Sequence, residues 1–207
     1  MMVLIRIFQG VLALLLFKTF IGCIKKYDSE NGLPEEMSWK IELTVFCGGG
    51  MIFPETVLQI LLLILFIAYL ASMAYTDFFT QRVYSLFYVL VAIPGYLWLV
   101  GEGSWLMLKV VLMYIGFVAV CSFVLNGFCD GDVEVFIAAT PYMALLAQRM
   151  KQPVLLMLML FMLVSLLLGI AGSMVQSIRK RKIITKSAMV PYIFGAAICM
   201  MALDNIL

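Results

Sequence analysis

The 207-residue chain contains no histidine and few charges: 14 Lys and Arg, 12 Asp and Glu. Without an imidazole there is no Ser-His-Asp triad, no His-ligated zinc and no histidine general base. Acid–base chemistry is left to Asp, Glu, Lys, Tyr or Cys. Charged residues make up 13% of the chain and hydrophobic ones 65%, with a mean hydropathy of +1.10. A soluble domain is roughly 45–50% apolar and about 25% charged. This chain has too little polar surface to face water, which excludes a soluble globular protein, a disordered chain, a coiled coil and a nucleic-acid-binding domain. The five cysteines, Cys23, Cys47, Cys121, Cys129 and Cys199, form no CxxC pair, and an odd number does not complete a disulfide framework. No grouping of residues calls for a metal or a cofactor.

What the sequence does have is long apolar runs. Seven are read as membrane segments: 3–24, 56–75, 83–100, 104–125, 133–147, 153–175 and 187–206. The fifth is short, and the seventh contains Pro191 and Asp204. The first has a single early basic residue, Arg6, and no A-x-A site, so it reads as a membrane helix rather than a cleaved signal peptide. Turn-like or charged residues separate the runs, and no long-period repeat is visible. The exception is 25–54. Its first part is polar, and Ile41–Pro54 is a short apolar stretch broken by Gly48-Gly49-Gly50, read as an interfacial or re-entrant piece. The expected fold is an all-α polytopic membrane protein.

Loop charge sets the expected orientation. Five basic residues in Arg179–Lys186 mark a cytoplasmic side, where they also contact lipid headgroups. Counting back, Asp77, Arg82 and the Asn126–Asp132 loop share that side, while Arg149 and Lys151 lie opposite. Seven crossings would place Lys25, Lys26 and Lys40 on the wrong side, so the number of crossings before Thr56 stays open.

Carboxylates at membrane depth are expensive and mark function by default. Asp77 ends one apolar run, and Asp132 opens another within Cys129-Asp130-Gly131-Asp132-Val133-Glu134. A bundle can bring them face to face. Two such carboxylates share a proton, one activating water while the other polarises a carbonyl. Gly131 permits a sharp turn and close backbone approach. On spacing alone three readings stay open: an aspartyl pair, capping and interfacial anchoring with Asp77 against Arg82, or an ion or proton path.

The motifs narrow this. Asp77-Phe-Phe-Thr-Gln-Arg82-Val83-Tyr84-Ser85 resembles the first motif of type IV prepilin leader peptidases and preflagellin peptidases. Gly131-Asp132-Val133-Glu134-Val135-Phe136 resembles their Gly-x-Gly-Asp segment, and Val190-Pro191-Tyr192-Ile193-Phe194-Gly195 their C-terminal Pro-Phe/Tyr-x-x-x-Gly segment, one residue shorter. The resemblance implies a six-helix peptidase core over 55–207, preceded over 1–54 by one membrane helix and a polar, interfacial segment. It implies a cofactor-independent aspartic-type endopeptidase of the GxGD type. Such an enzyme removes the short basic leader of prepilin-like substrates at the cytoplasmic face of the plasma membrane. Asp77 and Asp132 would be catalytic, with Gly131, Arg82, Cys129, Asp130, Pro191 and Gly195 in supporting motif positions. The cysteine-paired cytoplasmic domain of bifunctional relatives is not in this sequence, so N-methyltransferase activity is not expected. The sequence departs from the pattern at Cys129 for glycine, at Tyr84-Ser85 for Pro-Asn and at Glu134 where lysine is common. The rival readings are an inactive relative serving pilus or secretion assembly, and a proton- or cation-coupled transporter.

Overall fold

Backbone polar groups in hydrocarbon must be satisfied within the chain, and a helix does this segment by segment. The computed structural model describes residues 2–28, 32–52, 56–125, 129–180 and 188–204. They form eight helices: α1 (Met2–Tyr27), α2 (Trp39–Gly50), α3 (Val57–Thr80), α4 (Ser85–Glu102), α5 (Trp105–Leu125), α6 (Asp130–Arg149), α7 (Val154–Lys180) and α8 (Val190–Asp204). No strand occurs among the described residues. The chain is an all-α, multi-pass membrane protein.

Five helices, α1, α3, α4, α5 and α7, are long and apolar enough to cross a membrane. Their exposed side chains are large and apolar, as in Leu4, Leu97, Phe123 and Ile170, which suits a lipid-facing surface. The other two expected segments became α6 and α8. Helix α8 has only 15 residues, and α6 carries Asp130, Asp132 and Glu134 at its start. Helix α6 is buried over most of its length from Asp132 to Ala147 against α3, α4, α5, α7 and α8. Enclosed by protein, it does not need the hydropathy that lipid demands.

Short connections make successive helices antiparallel, so the bundle has two ends. The aspartate end gathers the C-termini of α3, α5 and α7 with the N-termini of α4, α6 and α8. The opposite end holds Arg149 and Asp204, 3.4 Å apart.

The glycines of Ile41–Pro54 do not interrupt a helix, contrary to the sequence expectation. Helix α2 runs through all three of them to Gly50 and packs antiparallel on α1. The close approach explains why. A Cβ on Gly49 would lie 2.6 Å from that of Ala13, and one on Gly10 would lie 2.6 Å from the Phe46 carbonyl oxygen. Small residues let two backbones touch, which offsets the propensity cost of about 1 kcal/mol per glycine. An ion pair, Lys18 to Glu42 at 2.8 Å, joins the same two helices. At about 1.5 Å per residue, the 12 residues of α2 span roughly half the membrane core.

Lys25 and Lys26, in the last turn of α1, lie at the aspartate end with Arg82, Arg179 and Lys180. Residues 181–186 of the basic cluster lie outside the described residues. Helices α1 and α2 also share the core of the rest: Phe17 packs edge-on to Tyr75, and Phe20 against Phe87.

Candidate functional site

Asp77 lies in the last turn of α3 and is 7% exposed. Helix α3 stops because Gln81 adopts the left-handed conformation (φ 55°) and returns its N–H to the Asp77 carbonyl at 2.9 Å. The Asp77 carboxylate points across the bundle. Its Oδ2 accepts the N–H of Val190, the first residue of α8, at 3.0 Å, and the Met189 backbone is a second partner. The unused donors of a helix N-terminus suit an anion. The nearby hydroxyls are turned back onto their own helix: Ser72 donates to Ala68 O at 2.7 Å and Thr76 to Met73 O at 3.1 Å.

Asp132 is the third residue of α6, one position ahead of the apolar run, and is 8% exposed. Its Oδ2 accepts the Cys129 N–H at 3.1 Å. Burial pushes its carboxyl up to about 6; the charge of Asp77 adds to this and the Cys129 bond opposes it. The two carboxylates, 55 positions apart in the chain, therefore act on each other electrostatically.

Gly131 makes the approach possible. A Cβ there would lie 2.9 Å from the Cβ of Val83, so the start of α6 rests directly on the segment that follows Asp77. Cys129, where the resembled motif has glycine, does not disturb this turn. Its backbone is extended (φ −74°, ψ 157°), open to any L-residue, and its thiol is exposed. Asp130 is exposed at the first position of α6, outside the buried pair.

Arg82 does not pair with Asp77. Its Nη1 lies 3.2 Å from Asp28 Oδ2, and the Tyr84 hydroxyl donates to the same oxygen at 2.8 Å. Burial and the bond to Asp28 push the Tyr84 phenol up to about 12. Arg82 thus ties the loop to the end of α1. Pro191 introduces no kink, because it sits in the first turn of α8, where its missing N–H costs nothing. With Ala74, Tyr75, Phe78 and Phe194 it lines an apolar cleft of about 300 Å³ between α2, α3 and α8, beside Asp77. Gly195 faces α7 rather than the aspartates, and a Cβ there would meet Leu168 at an ordinary 3.6 Å.

Sequence reasoning missed the α8 N-terminus as the partner of Asp77, although Pro191 just inside a helix start was its signal. It also missed the Ser85–Glu134 contact, at 2.8 and 3.0 Å, which joins two positions where the sequence departs from the resembled motifs. Among the described residues no three metal-ligating side chains come together. Comparison with protein-family models, curated proteins and solved structures gave no match.

Proposed function

We propose that the chain is a membrane aspartyl endopeptidase of the prepilin leader peptidase type, with Asp77 and Asp132 as its catalytic pair. One observation carries the reading: two carboxylates from separate helices are buried at one end of the bundle within reach of each other's charge. Their backbone hydrogen bonds use part of a capacity of about four acceptor sites per carboxylate, which leaves room for water and a shared proton. In peptide hydrolysis the ionised member takes a proton from water, and the resulting hydroxide attacks the scissile carbonyl. The protonated member donates to the carbonyl oxygen. Collapse of the tetrahedral intermediate breaks the C–N bond and sends a proton to the departing amine.

The three motifs, in order along the chain, favour prepilin-like substrates, cut ahead of an apolar helix. The aspartate end faces the cytoplasm of a plasma membrane in this reading. Lys25, Lys26, Arg82, Arg179 and Lys180 lie toward that end, against Arg6, Lys109, Arg149 and Lys151 toward the other. The apolar cleft beside Asp77 suits the start of the substrate's apolar segment.

The test is leader cleavage in membranes, scored by gel shift, with co-expressed substrates that bear a basic leader and a glycine before an apolar helix. Cleavage by the wild type, lost in both Asp77→Asn and Asp132→Asn, is the expected result. Cleavage that survives either substitution, or none by the wild type, rejects the proposal.

A further inference from the structure

The two aspartates are held differently. Asp132 leans on the start of its own helix, through the Cys129 N–H. Asp77 leans on another helix, through the N–H of Val190 in the first turn of α8. The next residue, Pro191, has no N–H, and the N–H of Tyr192 returns to the Met189 carbonyl at 3.0 Å. The Asp77 carboxylate thus stands where the side chain of an N-cap residue would stand for α8. The position of that first turn therefore aims the carboxylate. The turn is in its own way seated on α7. Met189 and Tyr192, on either side of Val190 and Pro191, lie over Gly169 and Gly172, three residues apart on one face of α7. A Cβ on Gly169 would lie 2.9 Å from the Met189 Sδ, and one on Gly172 would collide with the hydroxyl and two ring carbons of Tyr192. The methionine side chain is flexible and gives way. The tyrosine ring is rigid, and a collision that involves ring carbons as well as the tip displaces the ring as a whole.

We infer that Tyr192, seated on Gly172, is a positioning residue for Asp77: it sets where the first turn of α8 presents the Val190 N–H, and so where the carboxylate points. The ring acts from the α7 side of α8, two positions beyond the donor that Asp77 accepts. A glycine at 172 is what lets the two helices approach closely enough for this. Misplacing a reacting group by about 1 Å can cost about a hundredfold in rate, so a shift of a fraction of that is readable in kcat. The inference rests on the endopeptidase reading and adds to it what aims one of the two carboxylates.

The test measures leader cleavage by the full chain in membranes, with kcat, KM and the pH profile of kcat for each variant, at a temperature where thermal unfolding shows it folded. Gly172→Ala and Tyr192→Ala are each expected to lower kcat about tenfold with KM within about twofold of wild type. The double variant is expected to be no slower than Tyr192→Ala, because the added methyl has no ring left to displace. Tyr192→Phe keeps the ring and stays within about twofold of wild type. So does Gly116→Ala on α5, whose Cβ meets nothing within 4 Å. A folding defect scales the pH profile without moving it. A displaced donor at Asp77 moves its acidic limb, which belongs to the pair with Asp132. If Tyr192→Ala does not fold, the profile of Gly172→Ala decides. An unchanged kcat, losses that multiply in the double variant, or a profile that only scales overturns the inference and leaves the endopeptidase reading standing. Absence of wild-type cleavage overturns both.

Discussion

The two ends of the bundle treat buried acid in opposite ways. At one end Asp204 closes α8 against Arg149 of α6, and the charge is met by a cation at 3.4 Å. At the other end Asp77 and Asp132 are more deeply enclosed, and their partners among the described residues are backbone N–H groups and each other's charge. A carboxylate paired with a cation holds two helices together. Two carboxylates without a cation raise each other's affinity for protons, which the proposed reaction uses. Helices α6 and α8 contribute to both ends, and α3 brings the second carboxylate to the aspartate end.

The largest expected effect is on that difference itself. Asp77→Asn and Asp132→Asn should each lower the initial rate of leader cleavage by about a thousandfold or more, whereas exposed Asp130→Asn should change it by less than about threefold. Equal losses in all three would erase the distinction between the buried pair and its neighbour.

Gly131 and Gly195 sharpen the comparison next. Gly131→Ala should reduce cleavage about tenfold, because its Cβ collides with Val83 and pushes α6 away from α3. Gly195→Ala should leave the rate within about twofold, since its Cβ meets Leu168 at 3.6 Å.

The pH dependence of stability reports on Asp132. Asp132 binds its proton more tightly in the folded protein than an ordinary carboxylate does. Between the ordinary value of 3.8 and about 6 the folded state therefore holds more protons than the unfolded one. Stability contributed by this group is lost as pH rises through that window. Thermal unfolding in detergent should show the wild type less stable at pH 7 than at pH 5, and Asp132→Asn should flatten that slope.

At the opposite end, Arg149→Met leaves Asp204 without its cation and should lower stability by about 1–2 kcal/mol. Cleavage, measured at a temperature where the variant stays folded, should remain within about twofold of wild type. The smallest effect belongs to Arg82→Gln. Its pair with Asp28 is largely exposed, and the loss should be below about 1 kcal/mol. A large loss of cleavage in Arg82→Gln would mean that the loop tie to α1 serves the aspartates after all.

Composition was enough to determine the fold class. With so few charges the chain cannot face water, and in hydrocarbon a run of about 20 apolar residues must satisfy its backbone as a helix. The two aspartates were legible for the same reason, since charge beside a membrane segment is costly enough to be noticed in a single sequence. The path of Gly48–Gly50 was not legible. Propensity treats glycine as a breaker, while the gain from close helix contact depends on Gly10 and Ala13, more than thirty positions away. Nor were the partners of Arg82 and Asp77 legible, because Asp28 and Val190 reach them only across the bundle. Local spacing states which groups are buried and expensive. Which groups then neutralise or share that charge is decided by helices meeting far from their neighbours in sequence, and that is a property of the tertiary structure alone.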